Sequence, residues 1–240
     1  MFNFTFYISL GSFIVFFGAG IYFFTWWLKS NRHHQFLLYF ALGLGGFLWF
    51  KIPNILANAH IEIVQQDFYL FFFVTLLAHF LAYFSIIKGL TFFTEFSYKK
   101  SVLYYFAIWF GLAIYYFSLT FFVPGFDLTY APVWASHLLF FIPVQLCILY
   151  ELWHIAKNPV KSLTVPFPGV MLFGTGTGVI FLIASSLFYI FVQIWPYPQE
   201  FWYFAVTTST NISFLQIISG LFLFFGLCVL SQSYIRAIKN

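Results

Sequence analysis

Seven continuous apolar runs, each about twenty residues or longer, fill most of the chain: residues 4–28, 36–58, 68–93, 102–123, 133–154, 169–194 and 210–234. At about 1.5 Å per residue, a helix of that length matches the roughly 30 Å hydrocarbon core of a bilayer. Inside lipid every backbone N–H and C=O needs an internal partner, and only helices and closed barrels supply one. The strands of a membrane barrel alternate apolar and polar residues, whereas these runs are unbroken. The expected fold is all-α: one polytopic domain over residues 1–240, built as a seven-transmembrane-helix bundle. Composition excludes the soluble alternative, because 62% of the residues are hydrophobic and 7% are charged, with mean hydropathy +0.93. A soluble fold has no interior large enough for that apolar surface.

The opening MFNFTFYISL has no basic segment and leads directly into an apolar run, so no cleavable leader is expected. No soluble module is expected outside the bilayer. Cys147 and Cys228 fall inside predicted spans and read as small packing residues. The forty phenylalanines read as AT-rich codon usage, with Phe standing where Leu would serve, and not as a chromophore cage.

Charge sets the expected orientation. A net charge of +4 and a pI near 9.0 would point to nucleic acid in a soluble domain. Here Lys29, Arg32, Lys99, Lys100, Lys157, Lys161, Arg236 and Lys239 fall in alternate connections. The opposite connections carry Glu62, Asp67, Asp127 and Glu200 and no Lys or Arg. The positive-inside rule then predicts an outside N-terminus and a cytoplasmic C-terminus in a cell (inner or plasma) membrane. The bilayer is the expected partner, with no nucleic acid.

Polar residues at membrane depth are the candidate site. Lys51, Asn54 and Asn58 recur three and four residues apart, which puts them on one face of the second span, beside Pro53. A central lysine costs roughly 2.5–3.5 kcal/mol to insert, so Lys51 is expected to face the interior, a wet cavity or the outer headgroups. Thr75, His79 and Tyr83 share a face of the third span. His137 lies in the outer half of the fifth span and Glu151 near its cytoplasmic end; Asn211, Ser213 and Gln216 lie near the outer end of the seventh. Lys51, Asn54, Asn58, His79, His137, Asn211 and Gln216 form the candidate ligand-binding set. Gly174 and Gly178 make a GxxxG pair in the sixth span, expected as a face of close helix approach.

These features suit a non-enzymatic, receptor-like or sensory module. It would bind a small or lipidic ligand in an outer-half polar pocket and act through a membrane or cytoplasmic partner protein. The arrangement is similar to seven-helix receptors in topology. Microbial rhodopsins hold retinal on a lysine of the seventh helix, and residues 210–234 contain none. No cofactor is expected in this reading. The alternatives are an accessory or haem-b-binding subunit of a membrane complex, with His79 and His137 as ligands, and a small-solute transporter. The two histidines differ in expected depth by about 10 Å, which counts against the haem pair. No metal site and no catalytic residues are expected. The chain has no H-E-x-x-H and no paired carboxylates at membrane depth.

Overall fold

The structure, a computed structural model, describes residues 4–47, 65–93, 141–157, 168–194 and 201–239, with single positions at 52, 55, 107, 110, 111 and 114. Every regular element among the described residues is helical, and no strand occurs there. The helices are α1 (Phe4–Lys29), α2 (Gln35–Gly46), α3 (Gln65–Leu90), α4 (Ile142–Lys157), α5 (Pro168–Ile194) and α6 (Phe201–Lys239). A 3₁₀ turn, Thr91–Phe93, finishes α3. Among the described residues two stretches are long and apolar enough to cross a membrane, Phe6–Lys29 of α1 and Ser213–Ile238 of α6. Shorter apolar stretches are Gln35–Gly46, Leu77–Phe93 and Phe173–Phe188.

Local chemistry explains the ends. Pro168 opens α5 at a position where a missing N–H costs nothing. α1 stops where Asn31 and Arg32 take positive φ, 51° and 63°. Asn tolerates that left-handed conformation better than most residues. The turn is held by Ser30 N–H to the Trp26 carbonyl at 3.0 Å and Arg32 N–H to the Trp27 carbonyl at 3.1 Å. α6 departs from expectation. It begins nine residues before the predicted span and takes in the aromatic residues Phe201, Trp202, Tyr203 and Phe204. Residues 201–219 contain neither Gly nor Pro, so nothing interrupts the helix after Pro196 and Pro198. Its 39 residues extend about 58 Å, well beyond a hydrocarbon core.

Among the described helices, α1–α2, α2–α3, α3–α4, α4–α5, α5–α6 and α6–α1 pack as neighbouring pairs, a ring of contacts. Contacts fix their directions. α1 and α2 are antiparallel, with Phe16 on Phe47 and Phe23 on Phe40 at centroid distances of 5.3 and 5.6 Å. α2 and α3 are antiparallel, with Phe47 on His79 and Phe36 on Phe93 at 5.1 and 5.0 Å. α5 and α6 are antiparallel and share the most extensive interface. α1 and α6 run parallel, since Ser9 meets Ser213 and Tyr22 meets Phe224. α3 and α4 also run parallel, since His79 meets Phe141 and Tyr83 meets Gln145. Of the predicted fourth span, Ala107, Phe110, Gly111 and Ile114 are described, all helical and exposed. Their spacing of three, one and three places them on one helix face.

Aromatic side chains fill the core between helices. Phe36, Phe93 and Tyr234 meet at 5.0–5.4 Å and join α2, the 3₁₀ turn and α6. Glycines let α5 and α6 approach closely along the predicted GxxxG face. A Cβ on Gly178 would stand 2.8 Å from the Leu223 backbone nitrogen, and one on Gly226 would collide with the Thr175 backbone. Across the same contact the Ser219 hydroxyl donates to the Gly178 carbonyl at 2.7 Å. The outer surface carries large apolar side chains, among them Phe4, Phe17, Phe173 and Phe225.

Candidate functional site

The chemistry of the interior centres on α3, α4 and α5. Gln145 of α4 is 1% exposed. Its amide donates to the Tyr83 hydroxyl of α3 at 2.5 Å and to the Ser186 hydroxyl of α5 at 3.1 Å. One side chain thus joins three helices. Its carbonyl, Oε1, has no hydrogen-bond partner among the described residues. A buried amide with a spare acceptor has capacity for one more donor.

His79 sits one turn before Tyr83 on the same face and is 6% exposed. Its ring is enclosed by Phe47, Tyr83 and Phe141, at centroid distances of 5.1, 5.1 and 4.5 Å. This packing bears on the haem alternative. A haem ligated at His79 would have to fit beside Phe47, Tyr83 and Phe141. His137, its suggested second ligand, lies outside the described residues, and so do Lys51, Asn54 and Asn58. Asn211 falls within α6, but its side chain is outside the described ones. Gln216 is placed: it is 6% exposed, and its Oε1 has no partner among the described residues.

Glu151 is the one acidic side chain among the buried polar residues that the structure describes. It is 0% exposed, and neither carboxylate oxygen has a hydrogen-bond partner among the described residues. It shares the inward stripe of α4 with Val144, Ile148 and Ile155. Thr175 of α5 is equally buried, and its hydroxyl also lacks a partner among the described residues. Natural interiors leave few such groups, and each asks for an explanation. Ionisable residues within membrane helices are rare and commonly mark binding or transfer sites.

The structure therefore brings His79 into one cluster with Tyr83, Gln145 and Ser186, while Gln216 lies on another part of the ring. Sequence reasoning did not single out Gln145 or Ser186 as site residues. Gln145 and Glu151 are visible as polar breaks in an apolar run, but they point about 120° apart on the helix, so phase alone does not turn both inward. Ser186 gave no such signal, because serine is common in membrane helices. No three His, Cys, Asp or Glu side chains converge at metal-binding distance among the described residues. No family model matches the chain, and no characterised protein or solved structure is significantly similar to it.

Proposed function

We propose that the chain is a seven-helix protein of the cell membrane, N-terminus outside and C-terminus cytoplasmic, that binds a small ligand within its bundle and acts through a partner protein. Helix direction supports the topology. α3 and α4 are parallel, which fits one further crossing between them, and the apolar run 102–123 is long enough to supply it. In this arrangement Lys29, Arg32, Lys88, Lys157 and Arg236 all fall at one end, as the positive-inside rule requires. Exposed phenylalanines around the ring then meet lipid.

The observation that carries the binding reading is the unspent polar capacity of the interior. The Gln145 carbonyl and the Glu151 carboxylate are buried with no partner among the described residues. A small molecule with hydrogen-bond donors would complete both. Lys51, Asn54, Asn58, His137, Asn211 and Gln216 are proposed as the outer approach to that interior. No catalytic role is proposed.

Topology is tested by single cysteines in a Cys147→Ala, Cys228→Ala background. Thr129→Cys is expected to react with an impermeant maleimide in intact cells, and Ser97→Cys only after permeabilisation. Reaction of both from the same side would remove the fourth span. Binding is tested by mass spectrometry of small molecules that copurify with the wild type and with Gln145→Leu. A compound held by the first and lost from the second is expected. Identical profiles from two equally folded proteins would overturn the ligand reading.

A further inference from the structure

A second polar feature lies at the other end of the molecule from the proposed ligand entrance, where α1 turns into α2. A cavity of about 610 Å³ opens there, lined by Trp26, Lys29, Asn31, His33, His34 and Ile235. That volume falls in the range of small-molecule sites. Among the described residues no acidic side chain lines it. Lys29 and His33 are exposed, and His34 is half-buried with its ring 5.6 Å from Phe36.

The turn that shapes the cavity is fixed by its own hydrogen bonds. His33 N–H reaches the Ser30 carbonyl at 3.2 Å, and Leu37 N–H reaches the His34 carbonyl at 3.0 Å. The Ser30 hydroxyl is committed to the Trp27 carbonyl at 2.7 Å. Arg32 is turned aside, its guanidinium 5.5 Å from the Trp27 ring centroid. Lys29 and His33 are then two exposed donor-bearing side chains of the lining, beside Asn31 and His34. Trp26 and Ile235 supply an apolar wall beside them.

We propose that this cavity is a phosphate site occupied by the headgroup of an anionic membrane lipid. The inference rests on the membrane reading above, which puts this end of the bundle at the cytoplasmic headgroup layer. A lipid phosphodiester matches the lining: Lys29 and His33 provide charge-assisted hydrogen bonds, and the Trp26 and Ile235 wall accepts the start of an acyl chain. Basic pockets between helix ends on the cytoplasmic side suit such headgroups because the surface there is already rich in anionic lipid. A free phosphate shares the charge chemistry but leaves the apolar wall unused.

The test is thermal unfolding of the purified full chain in detergent, titrated separately with dioleoylphosphatidylglycerol, dioleoylphosphatidylcholine and inorganic phosphate. Phosphatidylglycerol is expected to raise the Tm while phosphatidylcholine does not. The double variant Lys29→Gln, His33→Gln is expected to weaken the apparent affinity by at least about tenfold, the equivalent of one charge-assisted hydrogen bond. Lys157→Gln removes a charge that sits over Trp153 at 4.0 Å, outside the cavity, and is expected to leave the effect intact. Equal protection by inorganic phosphate, lost in the double variant, would keep the phosphate site and assign it a soluble ligand. Protection that is the same in the wild type and the double variant, or absent from both, would overturn the site. Carbonate extraction of cell membranes checks the underlying reading separately. A chain that washes off the membrane yet binds phosphate through Lys29 would refute the bilayer placement and leave the phosphate chemistry standing.

Discussion

The Gln145 amide donates to the Tyr83 hydroxyl at 2.5 Å, across two helices that run in the same direction. Parallel neighbours cannot be joined by a tight turn, so this bond links parts of the chain that are 62 residues apart in sequence. The same amide reaches Ser186. Gln145 is thus the point at which α3, α4 and α5 are held in register.

Replacing Gln145 with Leu removes both bonds and leaves the buried Tyr83 hydroxyl without its donor. The expected loss is about 1–3 kcal/mol, the cost of leaving such a group unsatisfied. Tyr83→Phe alone removes one bond and is expected to cost less. In the double variant the orphaned hydroxyl is gone, so the combined loss should fall short of the sum. Thermal unfolding of the four proteins in one detergent measures the coupling. Strict additivity would mean that the two side chains do not interact.

Glycines separate into two classes by what a methyl group would meet. Gly226→Ala places a Cβ against the Thr175 backbone, and backbone cannot step aside as a side chain can. The α5–α6 interface is expected to open, at a cost in the overpacking range of about 1–3 kcal/mol. Gly18 has nothing within 4 Å of its would-be Cβ. Gly18→Ala is expected to be neutral or to stabilise by up to about 1 kcal/mol through helix propensity. Paired Tm measurements of the two variants check the contrast.

Much of this was legible in the chain itself, for a physical reason. Lipid-length apolar runs demand helices, and the Gly174–Gly178 spacing demands a close neighbour; both depend on local pattern. The choice of neighbour is not local. Nothing in the spacing of His79 and Tyr83 says that Phe141 and Gln145 will face them, because helix phase gives a direction and not a partner. The start of α6 was misplaced for a related reason. Aromatic residues around Phe201 suit an interfacial loop and a helix equally, and only the absence of Gly and Pro from 201 to 219 favours the helix.

Lys51 carries the most specific expectation about binding, and it follows from sequence position. In the proposed topology Lys51 would share a helix face with Asn54 and Asn58, on the order of 10 Å below the outer surface, where a charge calls for a counter-charge or a polar ligand. Lys51→Met keeps length and apolar volume and removes the charge. The variant is expected to insert normally and to lose the compound that copurifies with the wild type. Membrane fractionation and ligand mass spectrometry report the two properties separately. Retained ligand would exclude Lys51 from the site, and failure to accumulate would assign it a structural role.

Glu151 supplies the last prediction, because burial and function pull on it in opposite directions. Its carboxylate is fully enclosed and makes no hydrogen bond among the described residues, so it contributes desolvation cost without a compensating bond. Exchanging a buried polar group for an apolar one of similar volume is often neutral or stabilising. Glu151→Met is therefore expected to hold or raise the Tm. Removal of one partner of a buried ion pair instead costs about 3–5 kcal/mol, so a large fall in Tm would reveal a partner contacting the carboxylate. A stabilised variant that also loses the copurifying compound would mark Glu151 as a binding group retained at the expense of stability, the usual trade at functional positions. Glu151→Gln separates the two possible contributions, since the amide keeps an acceptor and gives up the charge. Ligand retained in Gln and lost in Met assigns the role to hydrogen bonding; ligand lost in both assigns it to the carboxylate itself.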